Sequence, residues 1–148
     1  MRKQLFGTLA TLSLLFALTI VSVEAQSKNR ITAHVPFDFQ VGEKTLPAGD
    51  YSVKRLSQNA LLVESADGQQ SAIAQAPRSV TGNVNAKPSV EKLVFRQYGD
   101  QYFLAQVWMI RGSNGRAINM SGAERKAADE LKLAQHDAKP KVIEVTAR

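Results

Sequence analysis

The chain has 148 residues, no cysteine and a formal net charge of +6. The absence of cysteine excludes disulfide bonds, thiol catalysis and thiolate metal sites. The lysines and arginines are scattered without a run of five basic residues, so we expect no nucleic-acid partner. The same composition allows a single domain with its own hydrophobic core.

The N-terminus predicts a secretory signal peptide over residues 1–25. Two basic residues precede an apolar run over 5–23, and Val23 and Ala25 occupy the −3 and −1 positions of a cleavage site. We expect cleavage after Ala25, export to the periplasm or the cell exterior, and a single β-rich domain over 26–148. The apolar run is also close to the roughly 20 residues that span a bilayer, so an uncleaved membrane anchor is the alternative.

The first predicted element of the mature chain is a half-buried strand. Apolar residues alternate strictly with other residues over 31–41. Pro36 lies on the outward-facing set and has no backbone N–H, so we expect either two shorter strands divided near Pro36 or one bent strand.

A series of turns and short strands follows. Turns are predicted at 42–44 and 46–50, and strands at 51–56 and 60–64. Asp67-Gly68 is a strong hairpin signal that returns the chain into a strand over 71–76. The polar segment 78–91 predicts an exposed loop.

The second clear unit is a hairpin over 92–110. A three-residue loop at 99–101 would pair Tyr98 with Tyr102 and place a wholly apolar set of side chains on one face. A shift of one residue would set Arg96 beside Phe103 and scatter that set. The apolar set of the favoured register is Leu93, Phe95, Phe103, Ala105, Val107 and Met109.

The C-terminal third predicts one turn, one helix and one strand. Asn114-Gly115 predicts a turn that lets 117–120 pair back onto 108–110. Ser121-Gly122-Ala123-Glu124 has the form of a capping box and begins a predicted helix over 122–136. Its apolar stripe is thin, so we expect it to rest lightly on the sheet. A last strand is predicted over 142–145.

Together these elements predict a mainly β fold with one C-terminal α-helix. Short strands separated by frequent turns are typical of an antiparallel β-sandwich or a small open barrel, and the pattern does not decide between them.

The titratable residues show no catalytic motif. His34 lies on the outward set of the first strand and His136 at the end of the helix, and neither has a recognisable partner by spacing. Asp38, Glu43 and Asp50 cluster around a turn, where turn chemistry is sufficient to explain Asp50. We therefore predict no enzyme activity, no metal site and no cofactor.

The best candidate binding surface is the second face of the 92–110 hairpin. In the favoured register this face carries Arg96, Tyr98, Tyr102 and Trp108, and aromatic residues on a sheet can stack on sugars or other ligands. The alternative is that the C-terminal helix covers the face, because an exposed apolar patch there would be a liability. The other members of this face are Val94, Leu104 and Gln106.

Three segments carry a resemblance to other proteins: 35–53, 92–108 and 121–125. They resemble a set of small exported bacterial proteins of unknown function, a group that implies no activity, cofactor or site residue. More weakly, the segment 47–53 (PAGDYSV) is similar to the strand entry of prealbumin-like and collagen-binding-B-type sandwich domains. That similarity implies a sandwich fold in a mostly non-catalytic exported module.

The sequence therefore predicts an exported, non-catalytic envelope or secreted module with a binding or structural role. The expected partner is a protein, a glycan or an envelope component, and a membrane only through an uncleaved signal peptide. Two alternatives stay open. One is a small-ligand carrier with a β-barrel cavity. The other is a small hydrolase in which Asp38, Glu43 or His34 converge in one cleft.

Overall fold

A computed structural model describes residues 30–82, 90–109, 114–134 and 138–148. The predicted signal peptide and His136 lie outside these residues. Within them, two β-sheets pack together and a single helix lies on the larger sheet. The predicted mainly β fold with a C-terminal helix is confirmed; it has the form of a sandwich, and the strands in the described ranges do not close into a barrel.

The chain order of the elements sets the topology. Sheet A has the strand order β1-β4-β5-β6, and sheet B has the order β11-β8-β9-β10-β7, with β2 joined to β9 and β3 to β2. The elements are β1 (Arg30–Val35), β2 (Phe39–Val41), β3 (Lys44–Leu46), β4 (Gly49–Arg55), β5 (Ala60–Ser65), β6 (Ser71–Gln75), β7 (Arg78–Thr81), β8 (Lys92–Tyr98), β9 (Gln101–Trp108), β10 (Asn114–Ala117), α1 (Gly122–Ala134) and β11 (Lys141–Thr146).

The predicted division of the first strand at Pro36 is confirmed, and it has a topological role. β1 pairs with β4 in sheet A, whereas β2 pairs with β3 and β9 in sheet B. Because Pro36 cannot donate a ladder hydrogen bond, it suits the point where the chain leaves one sheet for the other. Side chains on both sides of this crossing therefore enter the same core.

The core lies between the two sheets and is dominated by aromatic edge contacts. Phe39 meets Tyr51 and Phe95 with ring centroids 5.0 and 5.4 Å apart, and Phe37 meets Phe95 at 5.2 Å. Such T-shaped pairs are a favoured geometry for aromatic rings. Burial of each large apolar side chain contributes on the order of 2 kcal/mol.

The predicted register of the β8–β9 hairpin is wrong from Phe95 to Tyr98 and is confirmed from Lys92 to Val94. Tyr98 pairs with Gln101, so Arg96 stands opposite Phe103, and a bulge near Ala105 restores the register at Leu93 opposite Val107. The prediction assumed that only one face of the hairpin is buried. Both faces are covered here, by the core on one side and by α1 on the other, so Phe103 can leave the core face without becoming exposed.

The predicted helix is confirmed over Gly122–Ala134, and residues 135–137 lie outside the described residues. Ser121 caps it, because the Glu124 backbone N–H donates to Ser121 Oγ at 3.1 Å. The return half of a capping box is absent, since the Glu124 carboxylate binds Arg96 on the sheet. No helix in the described part of the chain is long and apolar enough to cross a membrane.

The predicted loop at 78–81 and the predicted turn at 114–115 are wrong, whereas the predicted hairpin at Asp67-Gly68 and the predicted last strand are confirmed. Residues 78–81 form β7 rather than part of an exposed loop, and Asn114-Gly115 begins β10 rather than a turn. These two strands pair with each other, and such pairing is invisible in either segment alone. The Asp67-Gly68 hairpin and the last strand are present. Residues 83–89 of the predicted loop lie outside the described residues.

A pair of backbone hydrogen bonds joins the two sheets at a seam beside the end of β11. The backbone N–H of Thr32 donates to the carbonyl of Arg148 at 2.8 Å, and the N–H of Arg148 donates to the carbonyl of Thr32 at 2.8 Å. This reciprocal bridge joins β1 of sheet A to the segment that follows β11 of sheet B.

Candidate functional site

The four residues of the predicted binding face do not form one surface. Arg96 and Tyr98 lie beneath α1, where Glu124 binds both of them. Tyr102 lies on the opposite, core-facing side of β9 because of the shifted register. Trp108 lies farther along the outer side of sheet B and belongs to neither packed cluster. The helix covers Arg96 and Tyr98, whereas the alternative prediction had it cover the whole face.

The centre of the helix interface is an ion pair between Arg96 and Glu124. Arg96 Nε donates to Oε1 of Glu124 at 2.5 Å and Nη2 donates to Oε2 at 3.1 Å, so the contact is bidentate. The Tyr98 hydroxyl donates to the same Oε1 at 3.4 Å. Glu124 is only 2% exposed, and its carboxylate therefore depends on these donors.

The electrostatics of this cluster favour the paired charges. Burial by itself would lower the pKa of Arg96, but hydrogen bonding and charge pairing with Glu124 raise the pKa overall. Burial raises the pKa of Tyr98, and the negative charge of Glu124 raises it further. Every group in the cluster has a partner, so the arrangement fits the anchoring of a helix better than proton transfer to a substrate.

Trp108 is packed flat against the backbone of β10. A Cβ atom added to Gly115 would lie 2.7 Å from two atoms of the indole ring. The Lys92 ammonium lies 5.8 Å from the ring centroid, and Nε1 donates to Oε1 of Gln106 at 3.1 Å. Only 8% of Trp108 is exposed, which leaves little aromatic surface for stacking on a ligand.

Tyr102 is also occupied by a contact within the chain. Its ring stacks on Phe37 with centroids 4.1 Å apart and planes inclined by 17°. Both side chains are partly buried against the main core. The four residues of the predicted aromatic surface therefore take part in three separate packing contacts, and their role in binding stays a prediction.

The side chains proposed for hydrolysis are held in separate contacts. Asp38 Oδ1 accepts from the backbone N–H of Ala48 at 2.8 Å, and Glu43 Oε1 accepts from the N–H of Gly122 at 2.6 Å at the start of α1. His34 Nδ1 and Asp50 Oδ1 lie 2.9 Å apart on the outer face of sheet A, and both side chains are about 70% exposed. Of the four, only His34 and Asp50 contact each other.

Two open hollows are lined by described residues. One, of about 360 Å³, lies at the seam between β1 and the end of β11. The other, of about 250 Å³, lies beside the β4 entry, where the Tyr51 hydroxyl donates to the carbonyl of Pro47 at 2.7 Å. The lining of the seam hollow is Thr32, Ala33, His34, Asp50, Thr146 and Arg148.

The described residues offer no preformed metal centre. Among them, no group of three His, Cys, Asp or Glu side chains could hold an ion. Within the same ranges, no buried side-chain nitrogen or oxygen lacks a hydrogen-bond partner.

Two features were not anticipated from the sequence. The sequence predicts Glu124 as part of a capping box, whereas it neutralises Arg96 beneath the helix. The signal for this role is Arg96 itself, a cation in the middle of an apolar strand that needs a buried partner. The seam hollow arises from the pairing of Thr32 with Arg148, residues that are 116 positions apart, and no local pattern reports such a contact.

No family model, curated protein or solved structure matches this chain in any of the three comparisons.

Proposed function

We propose that this protein is an exported, non-catalytic β-sandwich domain that binds a protein, glycan or envelope component. One observation carries the proposal. Each of the four side chains considered for hydrolysis is held in a contact of its own. Asp38 accepts from the backbone of Ala48, Glu43 caps the start of α1, and His34 pairs with Asp50 in solvent. A hydrolase needs such groups to act together on one substrate atom.

The location outside the cytoplasm rests on the N-terminal segment. Its basic start, apolar run and small-residue cleavage site are those of a signal peptide. The lack of cysteine in an exported chain is consistent with a domain that relies on its own core for stability.

The two alternative functions have less support. A carrier needs an enclosed apolar cavity, whereas the aromatic rings of Phe37, Phe39 and Phe95 pack edge to face between the sheets. A hydrolase needs a shared cleft, whereas Asp38 and Glu43 bind different backbone amides.

The export part of the proposal is tested by cell fractionation and by the intact mass of the purified protein. We expect the protein in the periplasm or the medium, with a mass that corresponds to a chain starting at Gln26. A full-length mass in the membrane fraction would show instead that residues 1–25 act as an anchor.

The non-catalytic part is tested with a quadruple variant, His34→Gln, Asp38→Asn, Glu43→Gln and Asp50→Asn. We expect no turnover of ester, glycoside, peptide or phosphoester substrates by either protein above the buffer rate. In-cell cross-linking followed by reconstitution with the purified partner should give the same dissociation constant for the wild type and for the double variant Asp38→Asn, Glu43→Gln, whose two side chains lie outside the seam hollow. Turnover that the wild type shows and the quadruple variant loses would overturn the proposal.

A further inference from the structure

Within the part of the chain that the structure describes, β11 has one open edge. The backbone N–H of Ala147 donates to Glu91 opposite it, so in an antiparallel ladder the peptide groups of Val145 and Ile143 also point toward β8. The peptide groups of Val142, Glu144 and Thr146 therefore point away from β8. They have no backbone hydrogen-bond partner among residues 30–82, 90–109, 114–134 and 138–148.

The ladder between β1 and this edge begins and then stops. Arg148 bonds reciprocally to Thr32, and a continuing antiparallel register would place Thr146 opposite His34. No hydrogen bond joins these two residues; the seam hollow of about 360 Å³ lies between them. The two strands thus diverge and leave outward-pointing peptide groups on both sides of the hollow.

The side chains of β11 are suited to an added strand. Ile143 and Val145 face the core but are only partly buried, and Val142 is 59% exposed on the outer side. A neighbouring strand would remove more of this apolar surface from water, which contributes roughly 25 cal/mol per Å². β11 also carries Lys141 and Glu144, and Glu144 pairs with Lys92, but the outward backbone groups of such a β-branched edge are a template for strand addition.

We propose that this edge accepts an extended segment of a partner polypeptide, which adds a strand beside Val142, Glu144 and Thr146 and seats one end in the seam hollow. The segment carries small apolar side chains toward Ile143 and Val145 and polar side chains outward. Main-chain hydrogen bonds supply the affinity, as in other cases of strand addition. This inference rests on the proposed binding function and names its partner class.

A single extended segment fits better than the folded edge of a second copy. The Thr32–Arg148 bridge holds β1 against the end of β11, and the added strand continues the ladder that this bridge starts. The hollow beyond it has the volume of a small-ligand site, which takes a chain end but not the edge of a whole domain.

Amide hydrogen exchange of the purified mature protein tests the open edge directly. We expect slow exchange at Ile143, Val145 and Ala147, which bond to β8, and fast exchange at Val142, Glu144 and Thr146. Slow exchange of the second set at low protein concentration would show that the edge is already covered and would overturn the proposal. Slow exchange that appears only at high concentration, with a dimer mass, would assign the edge to a second copy and would also overturn it.

A displayed library of random octapeptides tests the ligand class. We expect selected peptides to alternate apolar and polar residues and to slow exchange at Val142, Glu144 and Thr146. Val142→Pro removes one outward donor without removing a bond to β8, and should weaken binding about tenfold. Val142→Thr keeps the donor and the branched side chain, and should bind within about twofold of wild type.

The stability of the two variants provides the control. Val142→Pro and Val142→Thr should unfold at similar urea concentrations, so that a difference in binding reports the edge and not the fold. Selected peptides that bind both variants equally, or a library that yields no binder, would overturn the strand-accepting edge. A cross-linked partner that binds Val142→Pro with unchanged affinity would overturn it while leaving the proposed binding function in place.

Discussion

Among the described residues, sheet A leaves most of its outer face to solvent, whereas sheet B buries part of its outer face beneath α1. Ile73 on the outer face of sheet A is 57% exposed, and Leu62 opposite it and Lys54 on the next strand are only partly buried. Phe103 on the outer face of sheet B is 2% exposed and packs against Tyr98 and α1. Side chains in equivalent positions on the two sheets therefore have different energetic roles.

The same difference distinguishes the burial pattern of β1 from those of β8 and β9. β1 alternates strictly between exposed and buried residues, as expected for a strand with one wet face. β8 contains three consecutive buried residues, Leu93, Val94 and Phe95, and β9 contains another three from Phe103 to Ala105. A sheet with two covered faces loses the period-two signal on which register predictions depend.

The largest expected effect is a contrast between Phe103→Ala and Ile73→Ala. Loss of the buried ring should lower the free energy of unfolding by about 3–5 kcal/mol. Loss of the exposed side chain should change it by no more than about 0.5 kcal/mol. Urea unfolding of the mature protein measures both. Equal effects would mean that α1 does not cover sheet B in solution.

The ion pair beneath the helix should have the next largest effect. Arg96→Ala leaves the Glu124 carboxylate buried with only the Tyr98 hydroxyl, and should lower the free energy of unfolding by about 3 kcal/mol.

The matched control for the ion pair replaces both partners. Arg96→Met together with Glu124→Leu removes the charges but keeps the volume, and should recover most of the loss in urea unfolding. A double variant as unstable as Arg96→Ala would show that packing, and not the buried charge, accounts for the effect.

A smaller loss of stability is expected where the Trp108 ring packs on Gly115 of β10. Gly115→Ala places a methyl group 2.7 Å from the indole ring and should cost about 1–3 kcal/mol of stability. Trp108 is the only tryptophan, so a shift of its fluorescence maximum reports the displaced ring directly. Adding Trp108→Leu should relieve the clash. An unchanged spectrum and stability would contradict the packing of Trp108 on Gly115.

The smallest expected effect is a loss of stability at alkaline pH. Burial raises the pKa of Tyr98 above its ordinary value of 10.0, and Glu124 raises it further. The unfolded chain then binds fewer protons than the folded chain above about pH 10, so the free energy of unfolding falls as pH rises through this range. Urea unfolding at pH 8 and pH 11 measures the loss.

Tyrosine variants show how much of the alkaline loss of stability comes from each sheet. Tyr98→Phe should reduce the alkaline loss, and so should Tyr51→Phe in sheet A, because burial and the charges of Asp67 and Asp38 raise the pKa of Tyr51. If α1 were detached, Tyr98→Phe would leave the pH dependence unchanged while Tyr51→Phe would still reduce it.

Much of sheet A could be predicted from the sequence, because its signals are local. The alternation over 31–41 reports one buried face, Pro36 reports the break between β1 and β2, and Asp67-Gly68 reports the β5–β6 hairpin, where Gly68 adopts a φ of 71°. Ser121 likewise reports the start of α1.

The binding face predicted on sheet B could not be placed, because its geometry depends on distant segments. The predicted register of β8 and β9 requires that the apolar residues share one face. The cover supplied by α1 makes a second apolar face stable, and the bulge near Ala105 moves Tyr102 to the core side. Arg96 beside Phe103 is unfavourable only if the charge of Arg96 has no buried partner, and Glu124 of α1 is that partner.

By itself, the sequence determined the mainly β class, the break at Pro36 and the positions of most strands and of the helix, while the export signal at the N-terminus stays a prediction. These follow from composition and short-range periodicity, which act over a few residues. Only the tertiary structure decided which faces are covered, which carboxylate neutralises Arg96, and where β1 and β11 separate at the seam. Those features depend on contacts such as Thr32 with Arg148, in which residues far apart in the chain satisfy each other's hydrogen bonds, charges or apolar surface.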